Sequence, residues 1–301
     1  MVHPVMRLIS RRHADGSRPG YRSDGHRIAL AIEGGSSRGT YSSGMVMALE
    51  ELGLTRCFDS VYGSSAGALN GAWLLSGRAL TGMRGWWDPD IMRRVINPWR
   101  FLRGRPIFDT DYLVNTVYES VTPMDFPAIL ANPVTYHPLA TDADTGDSVD
   151  LRPYIHQEAD LRAALRATTC LPILAGGPVR MGGRRFVDAG VAEPLPFRTA
   201  LSQGATHVLV LRTRRATERP AKPPRSHDLL VPRAFPGLRK VWGEQYERDM
   251  EDEQLLTELP AVMSVRPPSE APNITSTQRD PKVLRRAVML GRQAVHATLA
   301  A

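Results

Sequence analysis

The chain of 301 residues is 42% hydrophobic and 23% charged, carries a formal net charge of +7 and contains two cysteines, Cys57 and Cys170. This composition excludes a chain that is disordered throughout, a disulfide framework and a four-cysteine zinc site. The apolar runs all fall short of the roughly 18 residues of a membrane span, and the basic amino terminus lacks the apolar segment of a secretory signal, so we expect a cytoplasmic protein.

The basic balance permits attraction to any anionic surface, whether nucleic acid or lipid. Many of the 38 lysines and arginines lie in residues 7–27 and 212–240, outside the periodic segments, where solvated tails and loops account for them equally well. The charge is not accompanied by an RNP, zinc-finger or helix-turn-helix signature, so we expect no nucleic-acid partner.

Regular structure is predicted from residue 27 onwards. Residues 1–26 are polar and lack periodicity, so we expect a flexible arm there. Ile28–Ile32 is an unbroken apolar run, which is typical of a strand buried on both faces. A glycine-rich turn follows at 34–39, and apolar residues then recur at helical spacing up to a C-terminal cap at Gly53.

The strand–turn–helix pattern repeats at once, with a strand at 58–62, a glycine-rich turn at 63–67 and a helix that ends near Gly77. Residues 213–237 contain five prolines and are predicted to form an irregular loop. The alternation of strands and helices predicts a mainly parallel sheet covered on both faces, in a single domain over residues 27–299. Further strands are predicted at 134–141, Val179–Met181, Arg184–Val187, 206–211 and Val262–Val265, and further helices at 160–168, 238–259 and Pro281–Leu299.

The second turn, Gly63-Ser64-Ser65-Ala66-Gly67, fits the G-x-S-x-G pattern of a nucleophile elbow. Flanking glycines allow the tight turn, and the N-terminus of the following helix favours negative charge at the serine. A plain glycine-rich turn with exposed serines shows the same letters, so the motif alone leaves both interpretations open.

The first turn runs Gly34-Gly35-Ser36-Ser37-Arg38-Gly39. Successive N–H groups at a helix N-terminus form an anion-binding nest, for a nucleotide phosphate or for the oxyanion of acyl transfer. The turn lacks the Gly-Lys-Ser/Thr of a P-loop, and Ser36 stands where a dinucleotide fingerprint has its second glycine. Because consecutive turns of a parallel sheet lie at one edge, we expect this turn to face Ser65, which favours an oxyanion site.

A third motif, Asp188-Ala189-Gly190, follows the predicted hairpin. An aspartate at a strand end beside a small-residue turn either points into a cleft or is an ordinary turn residue.

In this order, the three motifs resemble those of the patatin-like phospholipases, which read G-G-G-x-[KR]-G, G-x-S-x-G and D-G-[AG]. Residues 97–109, 140–142, 167–172 and 265–267 are also similar to bacterial members, so the resemblance covers about residues 27–299. The resemblance implies a three-layer α/β/α sandwich with a mainly parallel sheet. It also implies a serine acyl hydrolase that cleaves lipid or phospholipid esters.

The resemblance assigns roles to residues of this chain. Ser65 resembles the nucleophile and Asp188 its base, with Ala189 and Gly190 in the acid turn. Ser36 and Ala189 each replace a glycine of the family pattern, and a left-handed backbone at Ser36 would be strained. The segment that resembles the oxyanion hole comprises Gly34, Gly35, Ser36, Ser37, Arg38 and Gly39, and the elbow glycines are Gly63 and Gly67.

Two alternatives remain: a Ser-His-Asp esterase that uses His207, and a weakly active lipid-binding regulatory protein. We expect no cofactor and no metal, because the acidic turn at 142–147 has Gly146 at a ligand position of a calcium loop. The segment 86–103, rich in Trp and Arg, is either a peripheral contact with an anionic membrane or a pair of ordinary helices with a core face and a solvated face.

Overall fold

The computed structural model describes residues 2–220 and 227–299. Within these residues, eight strands form one sheet in the order β5-β6-β3-β2-β1-β7-β8, with β4 paired to β3. The pairs that join β1, β2, β3, β7 and β8 are parallel, and the pairs of β4, β5 and β6 are antiparallel. The strands are β1 (Ile28–Ile32), β2 (Ser60–Ser64), β3 (Thr135–Asp142), β4 (Ser148–Asp150), β5 (Val179–Met181), β6 (Arg184–Val187), β7 (His207–Leu211) and β8 (Val262–Val265).

Helices cover both faces of this sheet. The α-helices are α1 (Pro4–Ala14), α2 (Gly39–Glu51), α3 (Ala66–Leu75), α4 (Ala79–Gly82), α5 (Pro89–Val95), α6 (Thr110–Tyr112), α7 (Phe126–Leu130), α8 (Glu158–Thr168), α9 (Phe197–Ser202), α10 (His227–Ala234), α11 (Arg239–Gly243), α12 (Gln245–Glu258) and α13 (Pro281–Leu299). Short 3₁₀ turns at Ser36–Arg38, Pro98–Arg103 and Ala189–Val191 and a π-helix at Leu113–Val121 complete the parts that concern the site.

The side chains of β1 show how both faces are buried. Ile28, Leu30 and Ile32 pack into the core beneath α2, α3 and α13. Ala29 and Ala31, which alternate with them, pack into the second core beneath α9 and α12. Burial of every residue of this strand explains its unbroken apolar run. The predicted three-layer arrangement with a mostly parallel sheet is confirmed.

The amino-terminal segment differs from the predicted flexible arm. Residues 4–14 form helix α1, and its side chains Val5, Leu8 and Ile9 are buried in the main core. Arg12 is 2% exposed, and its guanidinium donates to Asp24 and Asp59. Val5, Leu8, Ile9 and Arg12 recur at helical spacing, so the sequence does contain the period of α1, but an arginine occupies one of the buried positions and most of the other residues of the segment are polar.

The region of the predicted proline-rich loop also needs correction. Residues 221–226, which include Pro223 and Pro224, lie outside the described residues, but 227–234 form helix α10 with Pro232 inside it. The helix predicted at 238–259 is interrupted at Glu244, where α11 ends and α12 begins. In the described residues, the helices are all too short or too polar to cross a bilayer.

Candidate active site

Ser65 lies on a strained turn between β2 and α3. Its backbone φ of 52° is in the positive region that side chains rarely adopt. A Cβ at Gly63 would lie 2.4 Å from Ala68 Cα, and one at Gly67 would lie 2.2 Å from Ile32 O, so only glycine fits at either position. The Ser65 N–H donates to Thr168 Oγ1 at 2.9 Å, which fixes the turn from α8. The motif therefore has the strand-to-helix geometry of a nucleophile elbow.

Asp188 is the direct partner of the Ser65 hydroxyl. Ser65 Oγ donates to Asp188 Oδ2 at 2.7 Å, and the Gly190 N–H donates to Oδ1 at 2.8 Å. Thr141 on β3 donates its hydroxyl to the Asp188 carbonyl at 2.8 Å, and the Asp188 N–H donates to Cys170 O at 2.8 Å. The structure thus brings together two residues that lie 123 positions apart in the sequence.

The carboxyl group of Asp188 titrates unusually. Burial raises the pKa of Asp188 from 3.8 to about 6, and the hydrogen bonds from Ser65 and Gly190 offset only part of this rise. The side chain is only 2% exposed. A carboxylate with a raised pKa is a stronger base, and it is still ionised at neutral pH.

The glycine-rich turn after β1 faces Ser65, as the sequence predicts. A Cβ at Gly34 would lie 3.2 Å from Ser65 Cβ and 3.0 Å from Ser64 O. Ser36 has a φ of 52°, so the strained backbone expected at this non-glycine position is present. The turn and the serine therefore pack directly against each other.

Hydrogen bonding narrows the set of amides that could stabilise an anion. In the described part of the chain, the N–H groups of Gly35 and Ser36 have no acceptor. These two N–H groups belong to the turn that packs against Ser65. Gly35 and Ser36 also line a cavity that Ser65 lines. The other N–H groups of the segment are used: Gly34 with Pro194 O, Ser37 with Ser276 O, Arg38 with Gly35 O, and Gly39 with Ser36 O and Ser37 O.

A buried ion pair anchors this turn, and sequence reasoning missed it. Glu33 Oε2 accepts from Arg212 Nε at 2.9 Å and from the Thr213 N–H at 2.5 Å. Thr213 Oγ1 in turn donates to Gly34 O at 2.7 Å. Although burial opposes it, the positive charge of Arg212 and Arg214 lowers the pKa of Glu33 to about 2. A charged residue directly after each of two buried strands was the available sequence signal.

Two cavities meet at Ser65. One is apolar, encloses about 700 Å³ with its open mouth, and runs beneath α3 and α5. The other encloses about 1600 Å³ with its mouth and is lined by both apolar and charged side chains. Ser36, Ser65, Phe108 and Leu171 line both cavities, so the hydroxyl stands at their junction.

Histidines lie elsewhere in the described structure. His207 begins β7 at the amino-terminal edge of the sheet, opposite to Ser65, and contacts Thr206. His137 bonds to Asp150, and His296 bonds to Glu51. Among the side chains that the structure describes, neither cavity at Ser65 is lined by a histidine, and His207, the candidate of the Ser-His-Asp alternative, lies at the opposite edge of the sheet.

The residues weighed for metal binding have other partners. Asp142 accepts from Arg184 Nε at 2.7 Å and from the N–H groups of Asp144 and Thr145. Among the side chains of residues 2–220 and 230–299, no group of three or more His, Cys, Asp or Glu is arranged to hold a metal ion.

Comparison with known proteins agrees with this architecture. The described fold is of the mixed α/β class with a mostly parallel sheet between helices. The structure of human GIVD cytosolic phospholipase A2 shares it, with a TM-score of 0.50 and 13% identity over 98% of this chain and 62% of that chain.

The family follows from the sequence match. The model of the patatin-like phospholipase family matches residues 30–201, more than half of the chain. The chain belongs to the patatin-like phospholipase family.

Two relatives are themselves uncharacterized. Protein YjjU of Escherichia coli K12 is 28% identical over 62% of this chain and 52% of its own length. The NTE family protein Rv1063c of Mycobacterium tuberculosis H37Rv is 32% identical over 58% of this chain and 46% of its own length. The matches therefore span about half the length of these relatives.

Proposed function

We propose that this protein is a serine acyl hydrolase that cleaves lipid esters with a Ser65–Asp188 dyad. The observation that carries the proposal is the 2.7 Å hydrogen bond from the hydroxyl of the strained elbow serine to a buried aspartate. The aspartate is a base of raised pKa, and the family to which the chain belongs is named for phospholipase activity.

The reaction follows from the positions of these groups. Ser65 Oγ attacks the ester carbonyl while Asp188 takes its proton, and the N–H groups of Gly35 and Ser36 stabilise the tetrahedral oxyanion. Asp188 then gives the proton to the departing alcohol, which leaves an acyl group on Ser65. A water molecule, deprotonated by Asp188, attacks this acyl-enzyme, and the proton returns to Ser65 as the fatty acid leaves.

The arginines of the wide cavity favour a substrate whose leaving group is anionic. Arg38 and Arg214 line this cavity together with Gln245. The guanidinium of Arg214 is paired with Asp249 at 3.0 Å, whereas Arg38 Nε is buried and has no partner in the described structure. A phosphate-bearing leaving group in this cavity would give the Arg38 guanidinium an anionic partner.

The same proposal includes a membrane contact, which is confined to the end of the Trp/Arg-rich segment. Trp86 packs against the core and donates to Asn70 Oδ1 at 2.9 Å, so it is not a surface anchor. Trp99, Phe101 and Leu102 are 72%, 60% and 78% exposed on the 3₁₀ turn Pro98–Arg103. Phe101 also lines the wide cavity, and Arg103 is exposed beside it. Apolar tips flanked by arginine suit an anionic lipid surface at the cavity mouth.

Serine labelling tests the catalytic proposal. An alkyl fluorophosphonate is expected to modify Ser65, at a rate that rises as the pH rises through about 6. The direction follows because only the ionised Asp188 accepts the serine proton, and its raised pKa places that ionisation near 6. Intact mass and peptide mapping give the site, and labelling time courses from pH 4.5 to 8 give the profile.

Ser64→Ala is the matched control, because Ser64 Oγ is fully buried and donates to Glu193 O at 2.6 Å. This variant should label like the wild type. A folded wild-type protein that shows no labelling at any pH would favour the lipid-binding regulatory alternative.

Liposome binding tests the membrane contact. Vesicles that contain anionic lipid are expected to bind more tightly than zwitterionic vesicles, and binding should weaken as salt screens the charges. Replacing both Trp99 and Leu102 with Ala is expected to weaken binding at least about tenfold, since each buries apolar surface in lipid. Met289→Ala is the control, because Met289 is an apolar side chain that is 61% exposed on a different element, α13. Equal sedimentation with both vesicle types at low salt, or binding to anionic vesicles that salt does not weaken, would refute the charge argument.

A further inference from the structure

The narrow apolar cavity runs along one face of α3, away from the nucleophile. Ala66, Leu69 and Trp73 line it at successive turns of this helix, with Ser65 at the helix start. Trp73 lies eight positions after Ser65, so it stands about 12 Å further along the helix axis at a rise of 1.5 Å per residue. The helix therefore gives the cavity a defined length.

Trp73 is held rigidly at the far end. It is 1% exposed, and its ring packs edge-on against Tyr118 with centroids 5.3 Å apart. On another side, a Cβ at Gly82 would lie 1.9 Å from the indole, so the Gly82 backbone rests directly on the ring. Because Tyr118 and the Gly82 backbone pack directly against the indole, it forms a fixed floor of the cavity.

The rest of the lining is mostly apolar. In the described structure no charged side chain lines this cavity, whereas Glu33, Arg38, Asp188 and Arg214 line the wide cavity. An ester at Ser65 therefore has one apolar and one charged space for its two halves. The apolar side chains that line the narrow cavity include Leu69, Trp73, Met83, Trp86, Ile91 and Met92.

We propose that this cavity holds the acyl chain of the substrate and selects it by length, with α3 as the ruler and Trp73 as the floor. The inference rests on the proposed function, because the ester carbonyl must sit at Ser65. A chain that reaches the floor buries all of its methylenes, and each one raises kcat/KM about fourfold. A longer chain must bend back or displace the indole, so its rate falls. An extended chain of about 12 Å corresponds to a medium-length acyl group such as decanoyl.

The test is a series of nitrophenyl esters from butanoate to palmitate, presented in mixed detergent micelles of constant composition. Wild type should show its highest kcat/KM near decanoate and at least about tenfold less for palmitate. Leu69→Phe places bulk halfway along the ruler, so decanoate should fall about tenfold while butanoate stays within about twofold. Trp73→Leu removes the floor, so the maximum should move to dodecanoate or longer.

Two variants control for general damage to the core. Leu75→Phe changes a buried position of the same helix that does not line the cavity, and Phe126→Leu removes a buried aromatic ring elsewhere. Both should keep the wild-type length profile, and melting temperatures show which variants are folded.

The outcomes separate the two claims. A wild-type protein that hydrolyses no ester of any length, and whose Ser65 resists labelling, overturns the proposed function and this inference with it. Hydrolysis with a length profile that neither cavity variant shifts overturns the ruler alone. Opposite shifts in Leu69→Phe and Trp73→Leu, with unchanged controls, establish it.

Discussion

Ser65→Ala is expected to lower ester turnover at least about a thousandfold, because the variant has no hydroxyl to form the acyl-enzyme. The fold should survive, since alanine adopts the positive φ of this turn with strain similar to that of serine. Removing the hydroxyl leaves Asp188 Oδ2 buried without its donor, which costs about 1–3 kcal/mol and lowers the melting temperature modestly. Turnover of a short-chain nitrophenyl ester and the far-UV circular dichroism spectrum measure both effects.

The neighbouring hydroxyl provides the sharpest comparison. Ser64 Oγ points away from the cavities and donates to Glu193 O, so Ser64→Ala should retain most of the turnover. The opposite pattern, with Ser65→Ala above about a tenth of wild-type turnover and Ser64→Ala inactive, would reassign the nucleophile.

Local sequence patterns were sufficient to predict the strands next to the motifs and several other elements of the fold. β1, β5, β6, β8 and α13 have the predicted bounds, and the other predicted strands differ by at most two residues. β1 is buried on both faces, β5 and β6 flank the Gly182–Gly183 turn, and α13 has one buried stripe, so the local pattern and the tertiary environment favour the same structure in each case. Ser65 and Asp188 could therefore both be assigned to the ends of predicted strands without any knowledge of tertiary contacts.

Contacts between distant segments could not be predicted in the same way. Helix α1 is stabilised by burial of Val5 and Ile9 in the main core and by the ion pairs of Arg12, and the local sequence does not show that this arginine is buried against Asp24 and Asp59. The Glu33–Arg212 pair joins residues 179 positions apart, and either residue alone is typical of a solvated turn. Which amides of the 34–39 turn stay free also depends on acceptors at Pro194 and Ser276, far along the chain.

The cavities were the least predictable part of the site. The length of the narrow cavity depends on where α4 crosses the end of α3, which is a matter of packing between elements. The sequence contains one indication of this contact. Gly82 has no side chain, which allows its backbone to lie directly against the Trp73 ring. Without the fold, that glycine is indistinguishable from an ordinary helix-ending residue.

The identity of the base separates a dyad from a triad, and Asp188→Asn should abolish turnover. The asparagine carbonyl can still accept the Gly190 N–H, and its amide can donate to Ser65 Oγ, so the buried site stays hydrogen-bonded. An amide cannot take the serine proton, so the chemical step should be lost.

The pH dependence of the melting temperature distinguishes a folded, inactive Asp188→Asn variant from an unfolded one. The folded-state pKa of Asp188 is raised from 3.8 to about 6, so ionisation of this group in the folded protein carries a free-energy penalty. The penalty is absent below pH 3.8, builds up between the two pKa values and is complete above about 6. Asp188→Asn should therefore melt at or above the wild-type temperature at pH 8, and this difference should shrink as the pH falls below 6.

Histidine variants complete the test, because a triad needs an imidazole between serine and acid, and removing it costs several orders of magnitude. His207→Gln, His227→Gln and His296→Gln should each retain most of the turnover at saturating ester. His207 lies at the far edge of the sheet, and His296 is bonded to Glu51. A histidine variant that melts like the wild type yet is as inactive as Ser65→Ala would replace the dyad with a triad. A dyad instead requires that, among these five variants, Ser65→Ala and Asp188→Asn lose turnover while remaining folded and the three histidine variants keep it. In a dyad the serine proton passes only between Ser65 and Asp188.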